Sequence, residues 1–469
     1  MKLQLTPYLK YAKPPLEKLI SELYEIYPYA SVLAQDSVAM RLSVSKTGTN
    51  VSENPFLTKR GFVVRVHNGK GLAEYAFNEL SDETYPEILS GIRKAADGIK
   101  GNDPLPDDEK CVLVHETEYA VDPETLGVKE IVSRLNALRE NTLSKSDLLL
   151  DAAVNFVWQK NHRLFLSANR CLAQSIIWTN GTIVALAAKG EEIKDYYKGF
   201  SLLGGAELID RMSSDDVAAK AASTVIELLD SEPIKPGEYE CICDPETTGM
   251  IVHEAFGHGV EMDMFVKNRA LAKEFIGKRV ASDLVSMHDG AKAADECASY
   301  LFDDEGTLGA DTLVIDKGIL LTGYVDSVNA KRLNITPTGN GRRESYENKA
   351  YTRMTNTFFA PGKDKLSDMI ASVKYGFLLE NPNSGMEDPK NWGIQCMVNI
   401  AREIRDGQLT GKIFSPIVLT GYVPDLLKSI SMMSDDFELG GGGFCGKGYK
   451  EWVKVSDGGP YIKARIRLG

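Results

Sequence analysis

Apolar runs are short throughout this chain, and none approaches the ~20 residues that a bilayer-spanning helix needs. The opening stretch MKLQLTPYLKYAKPPLEKLI has no uninterrupted apolar segment before a small-residue cleavage site, so no secretion signal is expected there. Basic residues are too few for a nucleic-acid surface: 54 Lys and Arg stand against 66 Asp and Glu, for a formal charge of -12. Lys331-Arg332 and Arg342-Arg343 are isolated basic pairs among polar neighbours. Cysteine is sparse and odd in number, seven in 469 residues, which suits reduced thiols better than a disulfide framework. No repeat of fixed period and no long low-complexity segment is present. These absences predict a cytoplasmic protein that engages neither membrane nor nucleic acid, in which a cysteine of interest is a buried thiol or a metal ligand.

What is present is ordinary globular composition, 43% hydrophobic and 26% charged, with length for two or three domains. Helical periodicity is read at 14–27, 82–97, 126–142 and 215–231, with a shorter helix at 363–375. Alternating β-branched stretches at 38–45 and 61–66 read as strands, and Asn68-Gly69 as a tight turn leading into a strand at 71–77. A second sheet-like stretch runs over 149–198, with Asn180-Gly181 as a hairpin signal inside it. The polar segment SEPIKPGEYE (231–240) divides the chain into an N-terminal domain, 1–232, and a C-terminal domain, 233–469. Strands and helices without strict alternation predict an α+β fold in both, each mixing antiparallel sheet and helices.

The most informative stretch is VHEAFGHGVEMD (252–263), which places two of only six histidines around a glutamate. Asp244 and Pro245 read as N-cap and first residue of a helix that carries them. In the common zinc-protease pattern the histidines are four apart on one helical face, with the glutamate beside the first as general base. His253 and His258 are five apart, about 140° around a straight helix. To meet, they require a π-bulge or a break at Gly257 or Gly259. For a third ligand, Glu261 is close in sequence and Cys445 lies in a glycine-rich tail, GGGGFCGKG, that lets backbone approach closely; spacing does not choose between them. Cys241 and Cys243 read as small buried hydrophobes on a strand.

The run His253-Glu-Ala-Phe-Gly-His258-Gly-Val-Glu261 resembles the HExxxHxxE signature of the TldD/PmbA family of metallopeptidases, also called modulators of DNA gyrase. DDEGT (303–307), TGNGRR (338–343), RMTNT (353–357), APG (360–362) and Cys445-Gly-Lys447 follow in family order, and GFVVRVHNGKGLAEYAF (61–77) is similar to its N-terminal domain. Retention of His253, Glu254, His258 and Cys445 resembles the active TldD-like branch. The resemblance implies that His253, His258 and Cys445 bind Zn2+ in a C-terminal metallopeptidase domain. The family usually has a more polar pair ending in glutamine where this chain reads Gly-Tyr-Lys (448–450), which bears on substrate preference.

Zinc polarises water and the scissile carbonyl, and a carboxylate beside a ligand can take the water proton and pass it to the leaving amine, the role expected of Glu254. Glu261 and Asp263 are expected to orient a histidine or cap the distorted helix. Asp303, Asp304 and Glu305 read as a solvated turn, and Arg353 and Asn356 as candidates for oxyanion or substrate contacts. The substrate implied is a peptide or unfolded segment held as an extended strand, and the family implies a homodimer or a heterodimer with a PmbA-like protein. The alternative is a non-catalytic binding or assembly subunit with a structural metal, which would have no need of Glu254. A DNA-binding gyrase regulator is suggested only by the older family name and is opposed by the acidic charge.

Overall fold

The structure, a computed structural model, describes residues 1–449 and 451–469; Lys450, the last residue of the Gly-Tyr-Lys departure, lies outside the described residues. The first sheet has eight strands: β1 (Tyr29–Ser45), β2 (Gly48–Glu53), β3 (Lys59–His67), β4 (Leu72–Phe77), β5 (Cys111–Glu116), β6 (Leu149–Ser167), β7 (Arg170–Lys189) and β8 (Glu192–Leu202). Their order is β4-β3-β1-β6-β7-β5, with β2 on β1 and β8 on β7. All pairings are antiparallel except β5 with β7.

One face of this sheet is covered by α1 (Pro7–Tyr24), whose Leu16, Leu19 and Leu23 pack on Val32, Val64 and Leu166. Helices Val128–Leu143 and Asp215–Leu228 cover Val154, Phe156 and Ile183. On the opposite face, Leu33, Val63 and Phe165 meet Phe302 and Tyr346 from the C-terminal half. The first part of β1 is therefore buried on both faces and loses the alternation that marks its second part.

Two sequence expectations are corrected. The first helix begins at Pro7 rather than 14, capped by the Thr6 hydroxyl, and passes through Pro14 and Pro15. Pro14 faces solvent, and the buried leucines hold the helix together in spite of the missing N–H donors. Asn180-Gly181 is no hairpin: it lies inside β7, paired with both β6 and β8. A Cβ at 181 would lie 2.1 Å from the Met212 sulfur, so any larger residue there would displace that side chain.

The segment 231–240 leads into an eleven-stranded mixed sheet. Its organising strand, Ser456–Leu468, pairs with Gly237–Cys243, Asn356–Phe359, Ile417–Tyr422 and Met432–Gly440. The pairings of Asn356–Phe359 with Ser456–Leu468 and of Gly237–Cys243 with Tyr375–Asp388 are parallel, so this half is mixed rather than purely antiparallel, and the fold is α+β. The largest core lies here and takes in Ile251, Val252, Ala255 and Phe256, the apolar side of the histidine segment. No helix among the described residues is long and apolar enough to cross a membrane.

Candidate metal centre

The Asp244 carboxylate accepts the Thr247 N–H at 2.7 Å and starts an α-helix, Pro245–Met250. The chain then widens into a π-helical turn, Ile251–Gly257, and tightens into a 3-10 turn, His258–Val260. The His258 N–H donates to the His253 carbonyl, so the five-residue spacing becomes one turn. The two imidazoles meet edge to face with centroids 5.1 Å apart. The Tyr324 hydroxyl donates to the Gly257 carbonyl at the change of pitch.

Cys445 arrives from the strand Phe444–Lys447, which forms a hairpin with Glu451–Lys454. The buried Arg353 guanidinium donates to the carbonyls of Cys445 and Glu451 on the two strands. Lys447, on the same strand face as Cys445, donates to Glu261 at 3.0 Å, Asp263 at 2.8 Å and the Thr352 carbonyl at 3.0 Å. The hairpin is thereby tied to the histidine segment. Cys445 Sγ lies 3.5 Å from His258 Nε2, and one ligand atom from each of His253, His258 and Cys445 lies within 4.8 Å of the others. This trio could hold a metal ion.

Each imidazole has a carboxylate at Nδ1. Glu261 Oε2 is 3.3 Å from His258 Nδ1, and Asp457 Oδ2 is 3.6 Å from His253 Nδ1, just beyond hydrogen-bond reach. His253 Nδ1 is buried without a hydrogen-bond partner. Burial alone would raise the Cys445 thiol, but the facing His258 and His253 outweigh it and hold the thiol well below its usual range. Burial opposes charge on His258 as well, yet Cys445 and Glu261 raise it well above the ordinary imidazole value. The cluster therefore favours a thiolate among proton-hungry nitrogens, the donor set of a soft or borderline cation.

Glu254 follows His253 on the π turn, and burial raises its carboxyl. Strand Tyr375–Asp388 closes over it: a Cβ at Gly385 would lie 2.5 Å from Glu254 Cγ. Two residues further, both Glu387 carboxylate oxygens are buried without partners, as is the indole N–H of Trp392 beyond the strand.

The structure brings His253, His258 and Cys445 together with Glu254 beside them, and sets Glu261 and Asp263 behind them on Lys447. It places others elsewhere. Asn356 donates to the Gly290 carbonyl and the Ser299 hydroxyl, and Arg353 donates through both Nη atoms to the hairpin carbonyls while its Nε is buried without a partner. Asp303 and Asp304 are not a solvated turn; they are buried at 1% and 3% exposure between the halves of the chain. Cys241 and Cys243 are fully buried among apolar side chains, as the sequence suggests. Asp457, Glu387 and the anchoring role of Lys447 escape sequence reasoning. Lys447 alone carried a signal, its period-two spacing from Cys445.

Residues 236–467 match the family model described as the PmbA/TldA metallopeptidase C-terminal domain. The chain is 34% identical over 460 residues to a metalloprotease of Methanocaldococcus jannaschii, covering 96% of this chain and 98% of the relative. It is 32% identical over 265 residues to a zinc metalloprotease TldD homolog of Saccharolobus solfataricus, covering 56% of this chain and 58% of that one. Among solved structures, a protein described as a modulator of a DNA gyrase from Thermotoga maritima superposes with a TM-score of 0.79 at 15% identity, covering 97% of this chain and all of that one, a likeness of fold. With a relative this similar along nearly its whole length, the chain belongs to the TldD/PmbA family of metallopeptidases.

Proposed function

We propose that this protein is a zinc-dependent peptidase in which His253, His258 and Cys445 hold the metal and Glu254 is the general base. The observation that carries the reading is the π turn that lifts His258 over His253 beside Cys445 and leaves Glu254 next to a ligand. The donor set fits zinc: two imidazoles and a thiolate are common tetrahedral ligands, and bonds of ~2.0–2.3 Å separate such atoms by roughly 3.5 Å, the spacing of Cys445 Sγ and His258 Nε2. The orphaned His253 Nδ1 beside Asp457 suits an imidazole whose other nitrogen is engaged. A bound zinc ion supplies Lewis acidity toward water and a peptide carbonyl.

Glu254 takes a proton from the attacking water as the new C–O bond forms and hands it to the amine as the C–N bond breaks. A raised carboxyl is suited to both halves of that exchange. Glu261 and Asp457 orient the imidazoles, and Lys447 holds Glu261 and the Cys445 hairpin in one register. The substrate is a peptide or unfolded segment bound as an extended strand, for which main-chain hydrogen bonds give broad sequence tolerance. The division at 232/233 makes the C-terminal domain the catalytic one. Seven free cysteines suit work in the reducing cytoplasm, and the protein acts as a dimer.

Glu254→Gln tests the reading. Peptide hydrolysis is expected to fall by about 10²–10⁴-fold while zinc stays near one per chain; unchanged hydrolysis contradicts the role of Glu254.

A further inference from the structure

Strand β5 is the outer strand of its sheet, paired only with β7 among the described residues. Edge strands in stable monomers are normally blunted by charge, proline or a covering element. The middle of β5 has none of these: Val112, Leu113 and Val114 are 64%, 40% and 69% exposed. Three consecutive exposed apolar residues on an open edge are a liability unless something pairs with them.

The backbone states which groups are free. The Cys111 N–H donates to the Asn169 carbonyl and the Thr117 N–H to the Ser175 carbonyl, so odd-numbered residues bond to β7. The N–H and C=O groups of Val112, Val114 and Glu116 point to the open edge. The N-terminal residues stop short of covering it: Leu3 donates to the Thr117 carbonyl, and the bridge Lys2 to Glu118 lies beyond the strand.

We infer that β5 pairs antiparallel with β5 of a second copy of this chain about a two-fold axis at Leu113, joining the two sheets into one. This register satisfies three independent demands. It sets Val112 opposite the partner's Val114 and the reverse, two pairs that exchange main-chain hydrogen bonds through the groups that face outward. It places Lys110 opposite the partner's Glu116 at both ends, a charge match. It leaves Leu113 opposite the partner's Leu113 as the non-hydrogen-bonded pair on the axis. Moving the axis to Val114 would set Val112 against the partner's Glu116 and lose the match. Valines 112 and 114 share a strand face with the groove between α1 and β5, lined by Glu17, Ile20, Tyr24 and Lys110. A strand pair this short lies at the low end of specific interfaces, below ~1,200 Å², so the dimer is concentration-dependent.

The inference rests on the dimer named in the functional reading, and the test separates the two. Sedimentation velocity of the zinc-loaded full chain over micromolar concentrations should show a monomer–dimer equilibrium. Val114→Lys should weaken it at least about 10-fold, because two-fold symmetry repeats each change. Lys110→Glu should weaken it, and the double swap Lys110→Glu with Glu116→Lys should restore it. Leu113→Cys should lock the dimer as a disulfide when glutathione disulfide is added, since non-hydrogen-bonded antiparallel Cα atoms lie ~4.5 Å apart; Val112→Cys should not. A wild type that stays monomeric contradicts both the dimer and this face. A dimer that Val114→Lys leaves intact and Leu113→Cys does not lock contradicts this face alone.

Discussion

Two regions of the molecule bury charge, and they do so in opposite ways. Between the halves, the oxygens of four carboxylates find donors, and the atoms left over are the Nε groups of Arg163 and Arg343. Asp304 takes Arg163 and the Arg343 N–H, and Asp303 takes the amides of Glu305, Thr307 and Gly341. Glu305 takes Arg65 and both donors of Ser327, and Glu74 joins Arg65 to Arg343. At the candidate metal centre, basic nitrogens and a thiol converge on one another, and a buried imidazole nitrogen, a carboxylate and an indole N–H nearby lack partners. Charges paired within the chain hold its parts together, whereas donors that face one another call for a cation from outside. Motif residues alone do not separate these cases, since DDEGT belongs to the first and HEAFGH to the second.

The largest test of this contrast is removal of one convergent donor. Cys445→Ala is expected to drop zinc from near one per chain to near zero and abolish hydrolysis, and added zinc should raise the melting temperature of the wild type but not of the variant. Asp304→Ala should do the reverse: stranding buried Arg163 costs about 3–5 kcal/mol of stability, read by denaturant unfolding, while zinc per folded chain is unchanged.

A third prediction uses Lys454, which shares the Cys445 hairpin but faces Trp178 and Phe444 on its other side. Burial pushes its amine down to about 8. The unfolded chain, with an ordinary lysine value near 10.4, binds the extra proton between those limits, so this residue makes stability rise from about pH 8 to about pH 10.4, by roughly 3 kcal/mol. Lys454→Met should remove that rise, measured as the difference between the two stability–pH curves. The smallest effect is expected of Lys447→Met, which unties Glu261 from the hairpin: zinc affinity should fall by about 10–100-fold in a chelator competition with the fold retained.

The histidine pair, its distorted helix and the Asp244 cap are legible in sequence because spacing and capping are local properties. Cys445 is a candidate beside Glu261 from its glycine-rich tail, but only resemblance chooses it, since it meets His258 from 187 residues away. Asp457 gave no local sign, lying on the strand that organises the second sheet. Asp303–Glu305 read as solvated because three acids beside a glycine usually are. Their partners Arg65 and Arg163 come from the other half, which only the packing of Phe165 on Phe302 brings near. Asn180-Gly181 misled for a related reason, as its glycine answers to Met212 across the sheet rather than to a turn.

The most direct test is an anomalous-scattering map at the zinc edge from crystals of the zinc-loaded protein. One peak is expected ~2.0–2.3 Å from nitrogens of His253 and His258 and from the Cys445 sulfur, with Glu261 turned to His258 Nδ1. A peak bound to Glu261 with Cys445 remote, or no peak at this site, would contradict this ligand set.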